Sequence, residues 1–238
     1  MDYSASVDPR RATGAISLDE ALDSTRTGDI WLFRGHSGPD RAIRTLTNSP
    51  VNHVAMTVAV DDLPPLMWHA ELGDKLLDVW TGDHHRGVQL HYAREAVEQW
   101  MIKYDQRCWI RQLSPDVTAA QEDALLRAIA RLDGTPFPST ARLATRWFRG
   151  RIPTSVDVVR GIPVLERKAR ERQSRRQEHA PGLEAAYCAE VVAITYADMG
   201  LIDAGKHSNW FDPGRFWSGD RLPLVADFRL ADEVEVKL

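Results

Sequence analysis

"GDIWLFRGHSGPDRAIRTLTNSPVNHVAMTV", residues 28–58, decides how the chain is read. Gly28 and Asp29 punctuate the start of "DIWLF", an apolar run with the character of a short buried strand. Pro39 and Pro50 bracket a segment with Ala42, Ile43 and Leu46 at helical spacing, so a short helix is expected there. "VNHVAMTVAV" follows as a second strand, rich in β-branched residues. By period two, His53 shares a face with Ala55, Thr57 and Ala59, while Val54, Met56, Val58 and Val60 form the other. Small residues let a helix approach a sheet closely, so the His53 imidazole is expected to point towards a helix on its own face.

Outward from this stretch, "LMWHA" (66–70), "LLDVW" (76–80) and "GVQLHY" (87–92) read as strands, with "ELGDK" and "TGDHHRG" as turns. An antiparallel meander results. "AREAVEQWM" reads as a helix and "RCWIRQL" as a strand. "SPDVTAAQEDALLRAIARLDG" is the most clearly signalled helix, with Ser114 or Asp116 as cap and Gly134 as stop. "STARLATRWF" continues the helical part. Between 160 and 176 seven Lys or Arg face two Glu, the mark of a solvated helix or an inserted segment. Strands and helices are segregated, which predicts an α+β fold. The expected layout is a polar tail with a short helix at "SLDEAL" over 1–26, one domain over 27–232 with a basic insertion at about 149–182, and a tail at 233–238.

Composition narrows the class. The chain has 238 residues, 43% hydrophobic and 27% charged, with a net charge of −4, which gives no support for a nucleic-acid partner. Two cysteines 80 positions apart, Cys108 and Cys188, build no disulfide framework, and neither a signal-like apolar core nor an eighteen-residue apolar run is present. A cytoplasmic protein is expected.

Chemistry concentrates in "LEAAYCAEVVAITYADMG", residues 183–200. If a helix begins near Tyr187, after the "PG" at 181–182, its positive end lies at the Cys188 sulfur and its first amides face a developing oxyanion. A lone Cys among Ala and Val is equally a small core residue, as Cys108 is expected to be. His53 and His69 would sit opposite one another in a hairpin centred on Asp61. Each alone reads as a structural histidine. A zinc site from His53, His69, His84 and His85 lacks the close i, i+4 pair such sites show, so no metal and no cofactor are expected.

The "TGDIWLFRGHSGPDRAIRTLTNSPVNHVAMTV" block, "GTPFP" and "YCAEVVAITYADMGLI", in that order, resemble the circularly permuted papain-like hydrolases of the NlpC superfamily, the group of YiiX-like proteins and lecithin retinol acyltransferase relatives. The resemblance implies a permuted papain-like fold whose antiparallel sheet packs against the Cys-bearing helix. It implies Cys188 as nucleophile, His53 as base and His69 as the residue orienting it, with Glu71 as the alternative third member. Asn52 stands where relatives carry Ser, and Tyr187, Ala189 and Glu190 form the neighbourhood of the oxyanion and substrate.

The implied activity is a hydrolase or acyltransferase working through a thioester on amide or ester bonds. Lipids or acylated small molecules rank first as substrates, peptide or peptidoglycan amides second, and a non-catalytic binding module is the rival class. Trp68, Trp80, Trp147, Phe148, Trp210, Phe211 and Trp217 are candidates to line an acyl cleft, and 160–176 for transient contact with an anionic membrane surface.

Overall fold

The structure, a computed structural model, describes residues 14–36, 48–60, 62–71, 73–136, 181–203, 208–219 and 222–238. The expected helix between Pro39 and Pro50, the helical run after "GTPFP" and the basic insertion at 149–182 lie in whole or in large part outside them.

The first described elements are β1 (Ile16–Ser17) and α1 (Leu18–Ser24). A capping box closes α1, with Ser17 Oγ accepting from Glu20 N and the Glu20 carboxylate accepting from Ser17 N. Four strands follow: β2 (Ile30–Arg34), β3 (His53–Val58), β4 (Leu66–Glu71) and β5 (Gly87–Tyr92). Next come α2 (Ala93–Glu98), which continues as a π-helical turn over Gln99–Lys103, and then β6 (Arg107–Arg111) and β7 (Leu113–Ser114). The chain is completed by α3 (Ala119–Leu132), α4 (Pro181–Asp198), two 3₁₀ turns, β8 (Arg229–Leu230) and β9 (Val234–Lys237).

Seven strands form one sheet in the order β1-β9-β6-β2-β3-β4-β5, antiparallel throughout except for the β1–β9 pair. The α+β reading with a mostly antiparallel sheet therefore agrees with the fold. Gly28 opens β2 in the left-handed region, φ 93°, where a Cβ would meet Leu113 Cδ2 at 2.8 Å. Its turn is pinned from the far side by Tyr196, whose hydroxyl donates to the Gly28 carbonyl.

Several expectations are corrected. Residues 233–238 are not a tail, because β9 lies between β1 and β6 and buries Val236. Residues 16–24 likewise belong to the domain, with Leu18, Ala21 and Leu22 buried. "LLDVW" is not a strand: Asp78 Oδ1 accepts from the Trp80 and Thr81 amides and turns the backbone on itself. α3 is capped by Thr118 in a box with Gln121, rather than by Ser114 or Asp116. The β3–β4 register pairs Met56 with Trp68, so His53 and His69 are diagonal rather than opposite; the shift of two residues leaves both on one face.

Each sheet face carries its own core. Ile30, Leu32, Val54, Met56, Val58, Trp68 and Leu90 pack with α4 and with Leu125 and Ile129 of α3. Trp31, Phe33, Ala55, Met67 and Cys108 pack with α1, α2 and Trp100 of the π turn.

Candidate active site

Strand alternation sends His53, His69, Glu71, Gln89 and His91 from three adjacent strands to the second face, where all five are buried. They form a row. His53 Nε2 lies 3.0 Å from His69 Nδ1, His69 Nε2 lies 3.1 Å from His91 Nδ1, and His91 Nε2 lies 3.0 Å from Gln89 Oε1.

The proton positions follow from the Gln89 end. Gln89 Nε2 has the carbonyls of Glu71, Gly73 and Gly87 at 3.4, 3.3 and 3.4 Å, which fixes the amide with Oε1 towards His91. An amide oxygen only accepts, so His91 Nε2 carries the hydrogen. With neutral rings, His91 Nδ1 then accepts from His69 Nε2–H, and His69 Nδ1 accepts from His53 Nε2–H. His53 Nδ1 is left as a lone pair, buried and without a hydrogen-bond partner among the described residues.

Burial keeps these rings neutral. It pushes His53 down to about 3 and His91 to about 4, the latter against the pull of Asp78. His69 is held well below the ordinary range by burial and by the flanking His91 and His53. The His53 ring lies over Trp100, centroids 3.9 Å apart and planes at 21°, and Trp100 also meets Phe33 and Tyr104. The π turn sets this up by aiming Trp100 at His53 while placing Gln99 and Tyr104 beside Glu71. Gln99 Nε2 and Tyr104 Oη donate to Glu71 Oε1 at 3.2 and 3.1 Å. Burial outweighs these bonds, the Trp100 indole N–H and the charge of Lys103, and raises the Glu71 carboxyl.

Cys188 is elsewhere. α4 begins at Pro181, not near Tyr187, so Cys188 lies about two turns inside the helix, where its amide belongs to the helical ladder rather than to an exposed N-terminus. Its side chain is 0% exposed and packs in the core of the first face, with Val54, Met56, Trp68 and Val192. The helix on the His53 face is α2 with its π turn, whereas α4, which carries Cys188, lies on β3 and β4 from the opposite side. Large apolar side chains reward burial more than a face of Ala and Thr does, and that preference outweighs the closer approach small residues allow. The structure brings His53 and His69 together; it does not bring Cys188 to them.

Other anticipated residues have structural partners. Asn52 Oδ1 accepts from Gly35 N at 2.6 Å, and Glu190 Oε1 accepts from Ser208 Oγ at 2.8 Å. Tyr187 and Ala189 are buried in the α4 core, as is Cys108 in the other, where burial raises its thiol. Among the aromatics proposed for a cleft, Trp68 and Phe211 are core, Trp217 packs edge-on to Trp109, Trp80 is exposed, and Trp147 and Phe148 lie outside the described residues.

His91, Gln89 and Trp100 went unread in the sequence. The signal for the first two was present: "VQLHY" alternates polar and apolar residues in a strand buried on both faces. A second cluster, with His85 Nε2 2.6 Å from Asp78 Oδ2 and Asp133 nearby, lies in the loops flanking β5 and α3. Burial, then Asp78, raises Asp133 to about 7.

No protein-family model matches the chain, and no curated protein matches it. Among solved structures it is similar to one described as the metalloprotein yiiX from Escherichia coli O157:H7, DUF1105, with a TM-score of 0.41 and 18% identity over 73% of this chain. The match covers 66% of that protein, just under two thirds of its length. Among the described residues no helix is long and apolar enough to cross a membrane.

Proposed function

We propose that the chain is a hydrolase or acyltransferase of amide or ester bonds that forms a thioester on Cys188, with His53 as base and His69 as its orienting partner. One observation carries this reading. His53 is held by a bond from Nε2 to His69 while Nδ1 keeps an unpartnered lone pair, and a general base needs one nitrogen held and the other open. The chain order of strand, His strand, polar strand and Cys helix supports the same reading.

In this reaction Nδ1 takes the thiol proton, the sulfur attacks the acyl carbonyl, and the proton passes to the departing amine or alcohol as the thioester forms. Water or a second acceptor then releases the acyl group. Cys188 and the His53 row lie on opposite faces of the sheet, so this reaction needs a rearrangement that brings the thiol to His53. An acyl-bearing small molecule or lipid is the preferred substrate class, a peptide amide the alternative. A non-catalytic module on the same scaffold is favoured by a different observation, the complete burial of Cys188.

Iodoacetamide labelling at neutral pH, with the adduct located by mass spectrometry, separates the two. Faster labelling of Cys188 than of Cys108, lost in His53→Ala, is the outcome expected of the enzyme. Equal, slow labelling of both thiols overturns it in favour of the module.

A further inference from the structure

Glu71 has one oxygen accounted for and one not. Oε1 accepts from Gln99 and Tyr104, whereas Oε2 is buried, meets no donor at full hydrogen-bond geometry among the described residues, although the Trp100 indole N–H also acts on this carboxyl, and lies 4.0 Å from His69 Nε2. The residue is 2% exposed. A carboxylate oxygen that is buried without a well-placed donor loses its hydration uncompensated. His69 Nε2, His91 Nδ1 and the Glu71 carboxylate lie within 4.8 Å of one another.

We propose that His69, Glu71 and His91 bind a divalent transition-metal ion, zinc being the best match. Two imidazole nitrogens and one carboxylate oxygen form a borderline donor set of the kind zinc takes, with a fourth position for a water or another ligand. The spacing fits, because two ligands at ordinary zinc distances in a tetrahedron are ~3.3 Å apart, and His69 Nε2 and His91 Nδ1 are 3.1 Å apart. The surroundings orient the donors. Gln89 Oε1 holds His91 Nε2–H and so directs Nδ1 at the ion, and the bonds from Gln99 and Tyr104 to Oε1 direct Oε2 at it.

Binding rearranges hydrogens without changing their number on the three rings. His69 must offer a lone pair at Nε2, so its hydrogen moves to Nδ1 and is donated to His53 Nε2. The His53 hydrogen moves to Nδ1 in turn. His53 then presents a donor where it had a lone pair, so a loaded ion and a His53 base exclude one another. This consequence rests on the proposed role of His53; the site itself does not.

The test uses the full-length protein, stripped with chelator and titrated with Co²⁺ and then Zn²⁺. One equivalent of Co²⁺ with visible d–d bands, displaced by Zn²⁺, is expected. Affinity should fall about tenfold or more in Glu71→Gln and His91→Gln and stay unchanged in His84→Gln, an exposed histidine outside the cluster. No binding, or equal binding by wild type and a Glu71→Gln variant of native circular dichroism, overturns the site. Imidazole ¹⁵N spectra of the wild type need no variant: Zn²⁺ should shift His69 and His91 and exchange the Nδ1 and Nε2 signals of His53, and unmoved signals overturn the site. Should Zn²⁺ bind as expected while Cys188 labelling is the same with and without it, the site stands and the base role of His53 fails.

Discussion

The two faces of the sheet are made by the same strands and share almost no chemistry. One is apolar, built from Val54, Met56, Val58, Trp68 and Leu90 against α4, and its side-chain polar contacts with the helix include the bond from Trp68 Nε1 to Thr195 Oγ1. The other sets three imidazoles, a carboxyl and an amide into an equally buried interior, each held by its neighbour. The difference teaches that burial alone does not locate a site here. Buried apolar groups are stable by default, whereas a buried polar row persists only if it is bonded from end to end, and what it leaves open, His53 Nδ1 and Glu71 Oε2, is where chemistry can enter.

The comparison breaks most severely at Trp100, which roofs the polar row. Trp100→Ala removes the ring stacked on His53 and leaves a large cavity, at a cost of about 3–5 kcal/mol in urea unfolding. Water then reaches the imidazoles, and ¹H NMR titration should find His53 climbing from about 3 towards the ordinary histidine range. An unmoved His53 in a folded variant would show that the neighbouring histidines, and not the indole, keep it neutral.

How much of this was legible in the sequence follows from the range of the forces. Period two in "NHVAMTV" placed His53 opposite Val54 and Met56, and the placing of His69 on the His53 face survived an error of two residues in register because two is the strand period. Which face the Cys helix covers was not legible, since that depends on summed apolar area from β2, β4 and β5, which no single stretch contains. The start of α4 is not legible because "PG" looks like a breaker but can equally occupy the first turn of a helix. "EVEVKL" passed for a tail since four residues reveal a strand only through their partners β1 and β6.

A smaller effect is expected at the far end of the polar face, where Asp29 accepts from the amides of Leu113 and Arg26, both at 2.8 Å, and from Thr25 Oγ1. Burial outweighs these bonds and raises the carboxyl to about 6. The folded chain therefore holds its proton more tightly than the unfolded chain, whose carboxyl titrates near 3.9. The stabilisation this gives is complete below about pH 4 and is lost as the pH rises through 6, on the order of 2–3 kcal/mol in all. Urea unfolding of wild type and Asp29→Asn between pH 4 and 7 checks it: the variant should lack this downward slope, and parallel curves would assign the slope to another group.

The smallest effect tests the other face. Thr195 Oγ1 donates to the Val191 carbonyl at 2.9 Å, so its lone pair accepts from Trp68 Nε1. Thr195→Val keeps the shape and removes the acceptor, leaving a buried indole N–H unpaired at about 1–2 kcal/mol. Trp68→Phe removes the donor but leaves the Thr195 hydroxyl bonded to its own helix, so its cost is mainly lost packing. If the face is otherwise apolar, the double variant should lie above the sum of the singles by about 1 kcal/mol, because the orphaned N–H exists only in Thr195→Val. Strict additivity in urea unfolding would mean that the Trp68 N–H finds another acceptor, and that this face tolerates polar groups as its opposite does.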